Sequence, residues 1–282
     1  MKIQDFTEFV LPSRPENAHK GNFGRVYILG GSVGYTGAPL LASNSCVRSG
    51  AGLCFLGVPA EIYPIVAARC LEAMPFPLPQ SAGAVVERLA AADVVVLGPG
   101  LGRSPWAEEL TLAVLQGVSC PVVLDADGLN AVAAHITILE RRKAPTILTP
   151  HEGEFLRLGG SPAGDRTAAA AKFAQDCGCT VVLKGQSTVT CYPDGTCYRN
   201  TTGNPGMATG GSGDVLAGLM GGLLGQGFPP EAAVWLHGRA GDLARDEKGE
   251  YAMTAGDIAE MLPVAMKNCE EERLCAKKGC AH

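Results

Sequence analysis

RVYILGGSVGYTGAPLLA, residues 25–42, passes from a short apolar run into a glycine-rich turn and then into a helical pattern that continues to about Ser49. A strand leading through a turn into a helix is the unit of a parallel sheet, because parallel neighbours need a crossover between them. The unit recurs along the chain. LCFLGV (53–58), VVVLGPG (94–100), PVVLDAD (121–127), TILTP (146–150) and TVVLK (180–184) supply five more runs, separated by segments long enough for helices. Such near-continuous apolar runs fit strands buried on both faces. The expected fold class is α/β, a doubly wound, mostly parallel sheet with helices on both faces. STVTCYPDGTCYRN (187–200) breaks the rhythm, since Asp194-Gly195 between two alternating runs signals a hairpin. Three helical patterns follow, over 212–225, about 230–246 and 254–267. With no linker or repeat, residues 1–282 read as a single domain, those from about 268 onward forming a charged, frayed tail.

Composition narrows the function classes. The formal net charge is −5 over 282 residues, with no strongly basic stretch before the last dozen, which argues against a nucleic-acid partner. The expected partner is a small molecule. Every apolar run is interrupted before the roughly 18 residues that would span a bilayer, so no membrane partner is expected. Eleven cysteines, odd in number and irregular in spacing, behind an N-terminus without the apolar core of a signal peptide, read as reduced thiols of a cytoplasmic protein. In the tail, Cys269, Cys275, Cys280 and His282 form no C-x-x-C pair and read as part of a charged terminus rather than a metal site. Asn200-Thr201-Thr202 is formally a glycosylation acceptor, of little meaning without an export signal.

Open α/β sheets bind ligands beyond the carboxyl ends of their strands. The run ending at Leu29 delivers Gly30 through Ala38, and that ending at Leu97 delivers Gly98-Pro99-Gly100-Leu101-Gly102. The next three deliver Asp125-Ala126-Asp127, Thr149 through Glu154, and Lys184-Gly185. Gly31-x-x-Gly34-x-x-Gly37 is neither a G-x-G-x-x-G fingerprint nor a P-loop. Both glycine loops nonetheless let backbone N–H groups approach a ligand closely. Asp127 is either the N-cap of the helix that includes Leu129 and Asn130 or a ligand or metal contact. His151, beside Glu152 and Glu154, either hydrogen-bonds locally or lines a polar site. Lys184 needs an anion or solvent, since burying it unpaired is costly, and a phosphate would serve. His237, inside AAVWLHGRAGDLA, reads as structural.

The most informative segment is TGNPGMATGGSGDVLAGLMGGLLGQG (202–227), with ten glycines. Val215, Leu219 and Leu223, and Leu216, Met220 and Leu224, repeat every four residues, while Gly218, Gly221, Gly222 and Gly225 cover the remaining surface. That describes a helix made for close packing, although each interior glycine costs about 1 kcal/mol relative to alanine. Its N-terminus is Gly211-Ser212-Gly213-Asp214. Free N–H groups and the helix dipole favour an anion there, and a carboxylate alongside can take a proton from an attacking hydroxyl. The chemistry expected of this arrangement is phosphoryl transfer, with Asp214 as the base.

G-x-G-D at a helix N-terminus late in a doubly wound domain resembles the ribokinase-like superfamily. HKGNFGRVYILGGSVGYTGAPLLA (19–42), GPGLG (98–102), LDADGLN (124–130), LTPHEGEFLRL (148–158), LKGQST (183–188) and GNPGMATGGSGDVLAG (203–218) together resemble the ADP/ATP-dependent NAD(P)H-hydrate dehydratases. The resemblance covers about residues 15–265 and implies repair of the S epimers of the hydrated cofactors NADHX and NADPHX. It implies ADP or ATP with Mg2+, a phosphorylated intermediate and a homotetramer. By the same resemblance Ala38, Gly100, Gly102, His151 and Asp214 contact the hydrate. Lys184, Gly185, Gln186, Ser187, Thr188, Gly211, Ser212 and Gly213 hold the nucleotide, and no Mg2+ ligand is assigned. Two positions depart from the pattern: relatives commonly read DADALN and PHPGE, whereas Gly128 and Glu152 stand here. Many bacterial relatives carry an N-terminal epimerase domain, for which about 15 residues before the first motif leave no room. The alternative within the superfamily is a kinase for a vitamin-precursor alcohol.

Overall fold

The run at 25–42 folds as its pattern demands, into a strand, a turn and a helix packed back on the sheet. The structure, a computed structural model, describes residues 2–162 and 164–278. Its strands are β1 (Lys2–Phe6), β2 (Arg25–Leu29), β3 (Leu53–Val58), β4 (Met74–Pro77), β5 (Val94–Leu97), β6 (Val122–Leu124), β7 (Thr146–Leu148), β8 (Thr180–Leu183), β9 (Val189–Cys191) and β10 (Thr196–Asn200). Its helices are α1 (Gly37–Arg48), α2 (Tyr63–Ala67), α3 (Ala82–Arg88), α4 (Pro105–Gly117), α5 (Ala126–Val132), α6 (Thr137–Glu140), α7 (Glu152–Arg157), α8 (Arg166–Cys177), α9 (Ser212–Leu224), α10 (Pro230–Lys248) and α11 (Ala255–Lys278).

The strands form one sheet in the order β1-β10-β9-β8-β7-β6-β5-β2-β3-β4. Only β9 runs against its neighbours, β8 and β10; the other adjacent pairs are parallel. The chain moves outward from β2 through β3 to β4, then returns to place β5 on the other side of β2. That reversal is the switch point at which doubly wound sheets open a crevice. All six strands read from the sequence are present, and Asp194-Gly195 turns β9 into β10, with the Tyr192 N–H donating to the Thr196 carbonyl at 2.8 Å.

One apolar core lies on each face of the sheet. Side chains of α1, α9, α10 and α11 cover Val26, Ile28 and Val96 on one face. Those of α3, α4, α5, α7 and α8 cover Tyr27, Leu29, Val95 and Leu97 on the other. Each fully buried Leu, Ile or Val adds about 1.5–3 kcal/mol to the fold, which is why the strands read as unbroken apolar runs.

The glycines of α9 have steric causes. A Cβ on Gly218 would run into the Ala42 carbonyl of α1, and one on Gly222 into Ser49 Oγ at the end of the same helix. Gly221 faces Val96 and Val26 of the sheet. Helix α9 is thus wedged between α1 and the strands with backbone against backbone. At the other end of the chain, α11 continues past the expected 254–267 pattern to Lys278, and Cys269 is buried on it. The apolar row of Leu262, Ala265 and Cys269 carries the helix through the first part of the expected tail. Of the cysteine–histidine set in that tail, Cys280 and His282 lie outside the described residues. Among the described residues no helix is long and apolar enough to cross a membrane.

Candidate active site

The parallel strands end along one edge, and the residues expected to carry chemistry collect there because register leaves them nowhere else. The glycine loops after β2 and β5 are stitched together. The Gly31 N–H donates to the Pro99 carbonyl at 2.8 Å, and Ser32 Oγ donates to the Gly100 carbonyl at 2.8 Å. Gly100 sits directly against Ala38 and Tyr35, so a side chain there would collide with the first loop. Ala38, Gly100 and Gly102 are therefore brought together.

Asp127 is not the helix cap that its position allowed. The N-cap of α5 is Asp125, whose side chain makes no capping bond. Asp127 instead accepts the Gly102 N–H at 2.9 Å on one carboxylate oxygen, and Asn130 Nδ2 at 3.2 Å on the other, with Arg103 Nε 3.4 Å away. It holds the second glycine loop in place.

Asp125 does what the sequence did not assign to it. Its carboxylate is 2% exposed and takes a hydrogen bond from Lys184 Nζ at 2.7 Å and from Thr149 Oγ1 at 2.7 Å. Glu154, also buried, lies 3.9 Å from the same ammonium. Burial alone would lower the Lys184 pKa, but Asp125 and Glu154 outweigh it and hold the ammonium above its ordinary value. The anion that Lys184 requires is thus Asp125, and the charged pair stands at the ends of β6 and β8.

His151 caps α7. Its Nδ1 accepts the N–H groups of Gly153 (3.0 Å) and Glu154 (3.3 Å), while Glu154 Oε2 accepts the His151 N–H at 2.8 Å, a reciprocal box. Nδ1 must therefore carry no proton, which leaves Nε2 as the donor on a half-exposed ring, 3.5 Å from Glu154 Oε1. The ring is tied to Lys184 through Glu154 rather than directly.

The N-terminus of α9 completes the site. Gly211 caps it with φ of +94°, a conformation natural to glycine, and places Ser212, Gly213 and Asp214 in the first turn. The Cα of Gly213 faces the Lys184–Asp125 pair, with Lys184 Nζ 3.4 Å from where a side chain would begin. Asp214 follows on the same turn. Burial, then the negative charge of Asp125, push its carboxyl up to about 7; Lys184 pulls the other way, and Asp127 adds to the rise. Near neutral pH this carboxyl exchanges a proton readily, which is what a general base needs. Behind it, Ser212 Oγ lies 3.4 Å from Nε2 of His237 on α10. Burial pushes His237 down to about 4, so the ring is neutral beneath the first turn of α9.

Sequence similarity and fold agree with this geometry. The NAD(P)H-hydrate dehydratase family matches residues 26–264. The chain belongs to that family. A bifunctional NAD(P)H-hydrate repair enzyme of Moorella thermoacetica is 45% identical over 279 residues, covering 93% of this chain but 53% of that protein. The chain spans about half the length of the bifunctional relatives it matches. An ADP-dependent (S)-NAD(P)H-hydrate dehydratase of Neisseria meningitidis is 39% identical, covering 89% of this chain and 87% of that one. The solved ADP/ATP-dependent NAD(P)H-hydrate dehydratase of Bacillus subtilis, co-crystallized with ATP and Mg2+, superposes with a TM-score of 0.81 at 32% identity, over 93% of this chain and 95% of that one. The ribokinase-like fold implied by the motifs is the fold found.

Within this family member, the sequence reading placed Asp214, Lys184 and the glycine loops at one edge, as the structure does. It missed Asp125 and Glu154 as partners of Lys184, Thr149 as a donor to Asp125, and Arg166 behind the loop at 184–188. A lysine after one buried strand and an aspartate after another, both delivered to the same sheet edge, were the available signal for the first of these.

Proposed function

We propose that this chain removes water from the S epimers of hydrated NADH and NADPH, coupled to hydrolysis of ADP or ATP. The observation that carries the reading is Asp214, a carboxyl raised to about 7 in the first turn of a glycine-capped helix, beside a buried Lys–Asp pair. Family membership and the activities named for the Neisseria and Bacillus relatives support it.

In this reading Ala38, Gly100, Gly102 and His151 contact the hydrate. Lys184, Gly185, Gln186, Ser187 and Thr188, with Gly211, Ser212 and Gly213, hold the nucleotide. Asp214 takes the proton from the ring hydroxyl as that oxygen accepts the terminal phosphoryl group. The N–H groups at the start of α9 and the Lys184 ammonium face the charge that develops on the phosphoryl oxygens. The ring nitrogen's lone pair then breaks the carbon–oxygen bond and expels phosphate, and loss of a proton from the adjacent carbon restores the ring double bond. Phosphate leaves far more readily than hydroxide, so one high barrier becomes two lower ones.

Among the described residues no group of three or more His, Cys, Asp or Glu side chains is placed to hold a metal. Mg2+ would accompany the nucleotide, where it would supply charge neutralisation. The cytoplasmic location rests on the odd, irregularly spaced cysteines of the sequence. The homotetramer rests on the family resemblance.

The test is a coupled assay with hydrated NADH and either ADP or ATP. The expected products are free phosphate, the nucleotide shortened by one phosphate, and the absorbance of the reduced nicotinamide ring. A stable phosphorylated product without recovery of that absorbance would show a kinase instead.

A further inference from the structure

The loop Gly185-Gln186-Ser187-Thr188 is held from behind by one side chain that no sequence motif includes. Arg166, the first residue of α8, donates from Nη2 to the Lys184 carbonyl at 3.0 Å and from Nη1 to the Gln186 carbonyl at 3.2 Å. Its third nitrogen, Nε, makes an ion contact of 2.8 Å with Glu152 Oε1, too oblique to count as a hydrogen bond. The guanidinium lies so close over Gly185 that a Cβ there would meet Nη2.

The direction of these contacts matters. In a trans peptide the N–H points opposite to the preceding carbonyl. Drawing the Lys184 and Gln186 carbonyls toward α8 turns the N–H groups of Gly185 and Ser187 the other way. The Gly185 N–H meets only Thr188 Oγ1 within its own loop, at 3.3 Å, and the Ser187 N–H forms no hydrogen bond among the described residues. Thr188 Oγ1 in turn donates to the Gly185 carbonyl at 3.0 Å. Ser187 sits at φ of +53°, an uncommon conformation for a non-glycine residue that the surrounding contacts must impose. The result is a loop whose Gly185 and Ser187 N–H groups are turned away from α8 before any anion arrives. Glu152 belongs to the other half of the site. It is the first residue of α7, next to the His151 cap, at the position where the family pattern commonly has proline.

We propose that Arg166 is a positioning residue for the nucleotide and that Glu152 latches it, so that the α7 start and the 184–188 loop move as one. Arg166 touches no reacting atom in this role; it presets the loop N–H groups toward the phosphates. The inference rests on the assignment of that loop to the nucleotide. A planar guanidinium spans two carbonyls and a carboxylate at once, which a lysine ammonium at the same place does not.

The test compares Arg166→Met, Arg166→Lys and Glu152→Gln with the parent chain. Nucleotide affinity is read by equilibrium dialysis with ADP and with ATP plus Mg2+, in the absence of hydrate, and turnover is read separately. Losing charge-assisted bonds that order the loop should weaken nucleotide binding about fivefold or more in Arg166→Met. Arg166→Lys should not restore it. Glu152→Gln should weaken it about twofold, with no further loss when added to Arg166→Met. In turnover, KM for the nucleotide should rise while kcat and KM for the hydrate stay within about twofold. Parental nucleotide affinity in a folded Arg166→Met chain overturns the proposal. If that variant does not fold, Arg166→Lys and Glu152→Gln decide, and parental affinity in both overturns it equally. If dialysis shows the expected losses while hydrated NADH is not turned over, the latch stands and the dehydratase reading alone falls.

Discussion

Replacing Asp214 by asparagine should make the protein more stable, and by an amount that depends on pH. An ordinary aspartate titrates near 3.8, whereas burial and the neighbouring Asp125 raise Asp214 to about 7. The folded chain therefore binds this proton more tightly than the unfolded chain does. Stability from the site is fully present below pH 3.8 and declines as pH rises, the loss being complete above 7. Each tenfold difference in proton affinity is worth about 1.4 kcal/mol, so the charged form costs the fold about 4 kcal/mol at about pH 8, and about 2 kcal/mol at about pH 5.5. Asparagine has nearly the same shape and no charge to bury. It forgoes about 0.5 kcal/mol of attraction between a carboxylate and the α9 N-terminus. Urea unfolding of both chains should thus show Asp214→Asn ahead by about 3 to 4 kcal/mol at the higher pH and by about half that at the lower. The same substitution should abolish turnover, and the parent's rate should rise with pH through about 7 as the base ionises. A variant that is less stable than the parent, or ahead by a constant margin at all pH values, would refute the account of why this acid is raised.

Lys184→Met removes the partner of a buried carboxylate, and should destabilise the chain by about 3 kcal/mol or more and weaken ADP binding, read by urea unfolding and dialysis. Gly218→Ala forces a methyl into the Ala42 carbonyl, where backbone rather than a flexible side chain must yield; a loss of about 3 kcal/mol or more is expected, with Gly227→Ala unsuitable as a control because of its φ of +84° and Gly83→Ala suitable because its surroundings are open. Asp127→Asn keeps one acceptor for the Gly102 N–H but weakens it, so KM for the hydrate should rise several-fold while the nucleotide affinity holds.

The central sheet was legible because its strands are buried on both faces and carry little but Val, Ile and Leu. Two edge strands were not. KIQDF at β1 is largely exposed, and its partner β10 lies almost two hundred residues away in sequence, so nothing local marks it as a strand. MPFP at β4 contains two prolines, which only an edge position tolerates. The charged pair at the site shows a similar limit. Asp125 and Asp127 are two residues apart, and the sequence reading weighed only the second, as a helix cap or as a ligand or metal contact. Strand register decided otherwise, putting Asp125 against Lys184 and turning Asp127 toward the glycine loop. Arg166 was invisible for a different reason: an exposed-looking arginine at a helix start gives no sign that two of its nitrogens serve another loop and the third meets Glu152.

The contact between α1 and α9 has a mechanical consequence. Because Gly218 and Gly222 bring α9 against the Ala42 and Cys46 carbonyls and the small Ser45 and Ser49 side chains of α1 and its C-terminal end, the contact leaves little room to re-pack and opposes sliding of one helix past the other. The first glycine loop leads into α1 and the Gly211–Asp214 turn leads into α9, so both ride on one closely packed block. On the proposed assignment, Ala38 at the start of α1 and Asp214 at the start of α9 then keep a fixed separation.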